Sequence, residues 1–121
     1  MMKTTSPIVE TSVILAAVDS LLIKINDALV KYYRETFKYL TAPVAKVRGG
    51  RKYLKIVLIG SQVCVYFFVD LSTGDILKPA TFTAPALNFA RGNVLSNNAL
   101  SKLTPHGTGD SIDNLQAILD R

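Results

Sequence analysis

The residues best equipped for chemistry lie between Lys46 and Lys55. Lys46, Arg48, Arg51, Lys52 and Lys55 follow one another at short spacing, and no Asp or Glu occurs from Thr36 to Val69. Cations left without acids attract polyanions, because each phosphate contact releases condensed counterions. Tyr53 sits inside this run, and Tyr66 and Phe68 follow in the aromatic stretch Val63–Val69. Rings beside cations suit single-stranded nucleic acid, with bases stacking on the rings while the cations follow the phosphates. The same residues also have an ordinary structural use: strand aromatics pack across strands, and alternating lysines solvate an edge.

Other chemistry finds less support. His106 is the only histidine, which excludes a multi-histidine metal centre. Cys64 is the only cysteine, so no intrachain disulfide forms and a reducing compartment is expected. Its alternating apolar neighbours predict a small buried or half-buried hydrophobe. A Cys64–His106 pair would depend entirely on the fold. Asp70 and Asp75 flank a turn and are expected to make turn hydrogen bonds. Gly49-Gly50 lies between cations but lacks Walker spacing. Arg91, followed by Gly92-Asn93, is a single cation at a helix stop, placed to contact an anion. No catalytic residue and no cofactor is expected; the function is one of binding.

These residues need elements to position them. Ser6-Pro7 is a hydroxyl N-cap followed by proline at the first helical position. Apolar residues then recur at Val18, Leu22, Ile25, Leu29, Tyr33 and Phe37, so residues 6–41 read as one long helix. Its first half, Ile8 to Ile23, is apolar nearly all round, which asks for burial on more than one side. A second subunit in a homo-oligomer would provide it; a helical hairpin broken near Ser20 is the alternative. Pro43 ends the helix.

A β-meander is expected in residues 44–83. Val44 to Arg48 forms the first strand, and Gly49-Gly50 a two-residue turn using positive φ. Arg51 to Ile59 and Gln62 to Asp70 follow, then Ile76 to Thr83, with Pro79 marking an edge or a strand end. Alternation places Tyr53, Lys55 and Val57 on one face and Leu54, Ile56 and Leu58 on the other. In the next strand Val63, Val65, Phe67 and Val69 oppose Cys64, Tyr66 and Phe68. With the aliphatic faces on the helices, the remaining face carries Tyr53, Lys55, Tyr66 and Phe68 beside Lys46, Arg48 and Arg51. Residues 84–121 read as a short helix from Pro85 to Gly92, loops at Asn97-Asn98 and Pro105–Gly109, and a last helix, Ile112 to Leu119, capped by Asp110 or Ser111. The fold class is α+β in a single domain spanning residues 1–121: a long N-terminal helix, a three- to four-stranded antiparallel meander and a short C-terminal helix.

The composition agrees. Of 121 residues 49% are hydrophobic and 19% charged, too apolar for a disordered chain. Fourteen Lys and Arg against nine Asp and Glu give +5, a balance that favours polyanions. Met1–Pro7 is polar without a signal-peptide pattern, and no apolar run is long enough to span a bilayer. A soluble intracellular protein without membrane contact is expected.

Three blocks carry a resemblance. They are Lys52-Tyr53-Leu54-Lys55-Ile56-Val57, then Phe68-Val69-Asp70 with Thr73-Gly74-Asp75-Ile76-Leu77-Lys78-Pro79-Ala80, then Ala84-Pro85-Ala86 with Ala90-Arg91-Gly92-Asn93. In this order and spacing the chain resembles a small family of short proteins encoded mainly by bacteriophages and prophages. It departs from that pattern at Phe82, where tryptophan is usual, and at Leu87-Asn88-Phe89, where basic residues are usual. The resemblance implies a viral origin and an accessory role in the host bacterial cytoplasm.

The expected function is therefore non-catalytic binding of single-stranded DNA or RNA by a homo-oligomer. Lys46, Arg48, Arg51, Lys52, Lys55 and Arg91 would hold phosphates, and Tyr53, Tyr66 and Phe68 would stack on bases. Two other readings compete. One is an accessory interaction protein, a virion component or an inhibitor of a host enzyme, acting through the apolar helix. The other is a pocket sequestering a small nucleotide, with Arg91 and Phe82 as contacts.

Overall fold

The structure is a computed structural model that describes residues 10–37 and 39–121. Its first helix, α1 (Thr11–Thr36), follows directly from the apolar spacing: Ile14, Val18, Leu21, Ile25, Ala28 and Leu29 form one buried stripe. The expected start at Ser6-Pro7 lies outside the described residues. The helix passes Ser20 without a break, so it is one rod and not a hairpin. It ends short of Leu40, where the Phe37 N–H donates to Tyr33 O at 2.8 Å. Only one stripe is covered: Val13, Leu15, Ile23 and Val30 remain between 41% and 66% exposed.

The stripe packs on a five-stranded antiparallel sheet formed by β1 (Val44–Arg48), β2 (Tyr53–Ile59), β3 (Val63–Asp70), β4 (Asp75–Leu77) and β5 (Gly92–Asn93), in that spatial order. The meander therefore gains a two-residue fifth strand beyond those expected. No helix forms at Pro85; the segment crosses back extended, with a Pro79–Pro85 bridge and Ala86 N–H donating to Lys78 O at 2.7 Å. Arg91 N–H then donates to Ile76 O at 2.7 Å, delivering Gly92 beside β4.

Two of the recognisable sequence blocks lock together here. Gly74 takes a positive φ of 83°, a conformation that favours glycine. Asn93 Nδ2 donates to Thr73 O and to Asp75 Oδ1, both at 3.0 Å, and Val94 N–H donates to Gly74 O at 2.9 Å. Asp70 does the turn work expected of it, accepting from Ser72 N–H at 2.8 Å and Ser72 Oγ at 2.7 Å.

Three local expectations change. Arg48 pairs with Lys55, so the β1–β2 connection is the four-residue loop 49–52 and Arg51 and Lys52 lie outside the strand. Gly50 is needed there for close approach and not for positive φ: an added Cβ would sit 2.1 Å from Tyr53 O. The C-terminal helix α2 (Leu115–Asp120) starts later than expected, because Asn114 and not Asp110 or Ser111 caps it, its Oδ1 accepting from Ala117 N–H at 2.9 Å. Between the sheet and α2, a 3-10 turn (Ala99–Lys102) leads into a small hairpin, β6 (Leu103–Thr104) and β7 (Gly107–Thr108), closed by Pro105-His106 where a loop was expected.

Strand β1 is an edge, and the helix closes part of it. Asn26 on α1 accepts from Ala45 N–H at 2.8 Å and donates to Ala45 O at 3.1 Å, occupying both backbone groups that face away from β2. Among the described residues no helix is long and apolar enough to cross a membrane.

Replacing Asn26 with Ala leaves the Ala45 backbone pair unmatched in a half-buried position. The expected loss is about 1–3 kcal/mol, read from the urea midpoint. A change within the scatter of an exposed control substitution such as Asp19→Ala would show that water satisfies the edge equally well.

Candidate functional site

Register decides which predicted residues share a surface. Directly paired residues point to the same side of an antiparallel sheet. Lys46 pairs with Val57, Arg48 with Lys55, Lys55 with Phe68, and Phe68 with Leu77. These residues lie on the face opposite the helices, together with Tyr53. The core-facing side carries Ala45, Leu54, Ile56, Leu58, Phe67, Val69 and Ile76, all in one cluster with the α1 stripe.

The structure thus brings Lys46, Arg48, Tyr53 and Lys55 together on the outer face, with Arg51 and Lys52 on the adjoining loop. Lys46, Arg48, Arg51 and Lys52 are exposed, while Tyr53 and Lys55 are half-buried. Arg48 and Lys55 stand directly opposite each other, a like-charge arrangement that works against the sheet. Among the described residues the ion pairs join Lys102 to Asp110 and Arg121 to Glu35 and Asp113; none involves a cation of this hairpin. The acid nearest in register is Asp70, opposite Tyr53, and its Oδ1 is taken by Ser72.

The aromatic expectation needs correction at two positions. Tyr66 does not reach this face. The pairing moves from Ile56↔Phe67 to Val57↔Val65, so Tyr66 is an extra residue in β3, a β-bulge. The bulge breaks strict alternation, and Tyr66 joins Phe67 in the core, 2% exposed, with ring centroids 5.1 Å apart. Its hydroxyl donates to Thr104 O at 2.5 Å, and burial holds that hydroxyl well above the usual tyrosine range, so it stays a neutral donor. Phe68 does lie on the outer face, yet it is only 2% exposed. It is buried on the same face as Val57 and Leu77, between its register partners Lys55 and Leu77. Neither ring is available to stack on a base.

Another ring takes that place. Phe82, on the returning segment, lies 4.2 Å from Lys55 Nζ and is 52% exposed. The cation holds one side of the ring and leaves the other side open. In the sequence, Phe82 stands out only as a departure from tryptophan and as a contact for a small nucleotide. An exposed aromatic in a Thr-rich loop carries no strand periodicity to mark it. Tyr53 contributes beside it, with Lys52 Nζ 5.6 Å from its ring centroid.

Arg91 does not join the hairpin cations. It precedes β5, at the opposite edge of the sheet from β1, about 19 Å away at ordinary strand spacing. Its guanidinium carbon lies 4.0 Å from the Phe89 ring centroid.

A third region is apolar. A groove of about 700 Å³ runs past Tyr33, Leu40, Val44, Leu58, Cys64 and His106. Cys64 is exposed there, against the expectation of burial, because the hairpin end of β3 runs beyond the covered part of the sheet. The fold thus brings Cys64 and His106 to one groove. His106 stacks edge-on to Tyr32 at 6.0 Å, and no carboxylate lines the groove to orient the imidazole as a base. Among the described residues no His, Cys, Asp and Glu group is arranged to hold a metal ion.

The chain belongs to a family of unknown function (DUF7717), whose family model matches residues 4–107. The matched span takes in the helix, the whole sheet and the β6–β7 turn, and stops before α2. Neither the comparison with curated proteins nor that with solved structures gives a match.

Because Arg48 and Lys55 repel each other, Arg48→Thr is expected to stabilise the free protein by about 0.2–1 kcal/mol. The gain should be larger at low than at high ionic strength, since the two charges are screened by salt. Urea unfolding at both ionic strengths measures it, and a loss of stability at low salt would mean that the guanidinium is favourably paired.

Proposed function

We propose that this protein binds single-stranded DNA or RNA through the outer face of its β1–β2 hairpin, without catalysis. The observation that supports the reading best is the unneutralised pair Arg48 and Lys55, directly opposite in register, with Lys46 on the same face. A fold keeps like charges opposite each other at a cost to its own stability, and an anion spanning them removes that cost. Lys46, Arg48, Arg51, Lys52 and Lys55 contact successive phosphates. Phe82 and Tyr53 offer the stacking surfaces, each base contributing about 1–3 kcal/mol. The site is wide and open, which suits a flexible strand read without sequence preference. The resemblance of the three sequence blocks to phage-encoded proteins supports the cytoplasm of an infected bacterium as the place of action.

A second reading rests on α1. Val13, Leu15, Ile23 and Val30 are exposed around the uncovered side of the helix, and these apolar side chains suit a protein partner or a second copy of the chain. Such contact survives high salt, whereas phosphate binding does not. Oligomerisation through this surface would add avidity to strand binding, because several hairpins would follow one strand.

Fluorescence anisotropy with a labelled oligonucleotide across a salt series tests the first reading. The slope of log K against log salt should be about −0.7 per phosphate contacted. The double variant Arg48→Gln/Lys55→Gln should flatten that slope by about 1.4, and Phe82→Ala should weaken binding without changing it. Absence of binding at low salt, or a slope indifferent to the double variant, would sink this function and leave the helix surface as the active part.

A further inference from the structure

At the edge of the sheet farthest from the hairpin, a smaller pocket of about 370 Å³ collects polar groups from four segments. Asp75, Arg91, Asn93, Ser96, Asn98 and Lys102 line it. Arg91 Nε is buried there and has no hydrogen-bond partner among the described residues. A buried donor without an acceptor is costly, and a guanidinium in this position calls for an oxygen. Phe89 stacks on the guanidinium at 4.0 Å and is itself 56% exposed, which fixes the plane of the fork and leaves ring surface open.

The second cation reaches the pocket through a glycine. An added Cβ at Gly92 would lie 3.2 Å from both Cβ and Cγ of Lys102, so the lysine stem passes close against the Gly92 backbone. Its Nζ meets Asp110 Oδ1 at 3.5 Å, a long contact to a carboxylate that is 85% exposed, and such pairs hold their cation weakly. Asp75 stands on the opposing side of the balance, with its Oδ1 accepting from Asn93 Nδ2 at 3.0 Å. Two cations against one lining carboxylate suit a single oxyanion group and not a polyanionic strand.

We propose that the Arg91–Lys102 pocket binds a phosphomonoester group, the guanidinium fork and the ammonium sharing its oxygens. The chemistry differs from that of the hairpin in size and place: one phosphate in a polar recess, not a chain across an open face. A planar group carried by the phosphate, such as the base of a nucleoside monophosphate, reaches the open side of Phe89.

Thermal unfolding of the full chain, titrated with inorganic phosphate and with a nucleoside monophosphate, tests the site. Binding should raise Tm by about 5 °C at a ligand concentration about tenfold above Kd. Arg91→Lys keeps the charge but loses the fork, and should weaken binding about tenfold, each variant being read against its own ligand-free Tm. Asp110→Asn should tighten it by releasing Lys102, and Arg48→Gln/Lys55→Gln should leave it unchanged. A shift equal in wild type and Arg91→Lys would overturn the proposal, since phosphate stabilises many proteins by exclusion from their surface. So would an equal shift with acetate, which would assign the recess to carboxylates, or a shift lost in the hairpin double variant.

Discussion

One extra residue in β3 decides how the two faces of the sheet are used. The bulge at Tyr66 lets two consecutive aromatics, Tyr66 and Phe67, enter the same core, where strict alternation would have sent them to opposite sides. The large rings that pack against α1 are therefore taken from the strand that looked most like a stacking platform. The same slip turns the Tyr66 hydroxyl toward Thr104, tying the β6–β7 hairpin to the sheet through a buried hydrogen bond. Core packing, the placement of the C-terminal third and the character of the outer face all depend on that single irregularity.

The outer face then divides into a charged and a covered part. At the β1–β2 end it is cationic and open, with Lys46, Arg48 and Lys55 held in register by backbone pairing alone. Toward β4 it is covered, and Val57, Phe68 and Leu77 are buried there. The returning segment brings Phe82 to Lys55. An aromatic ring is thereby placed beside the cations by a loop, while the β3 rings Tyr66, Phe67 and Phe68 serve packing. Loops positioned on a rigid scaffold commonly carry binding groups, because their side chains are not needed for the core.

The sequence blocks that look most distinctive do structural work first. Gly74, Asp75 and Asn93 form one interlocked turn, in which the Asn93 amide bridges Thr73 O and Asp75 Oδ1 and so fastens β5 to β4. Arg91 and Gly92 sit beside that clasp and inherit its rigidity. A guanidinium presented by a fixed backbone has less freedom to lose on binding.

Periodicity alone determined the long helix, the antiparallel α+β class and three of the strands, because repeat spacing of apolar residues reports which side faces a core. The residue order also showed that the cations from Lys46 to Lys55 have no acidic neighbours in sequence, and alternation put Tyr53 and Lys55 on one face with Lys46 and Arg48 nearby; the β1–β2 register then set all four on that face. What it did not determine was anything that depends on one residue more or less. The bulge that withdrew Tyr66, the four-residue turn that took Arg51 and Lys52 out of the strand, and the cap at Asn114 are small local choices made by packing. The covering of Phe68, the exposure of Cys64 and the separation of Arg91 from the hairpin are long-range outcomes, set by where the returning segment and the fifth strand settle. Those depend on contacts between residues distant in the chain, and only the tertiary structure decided them.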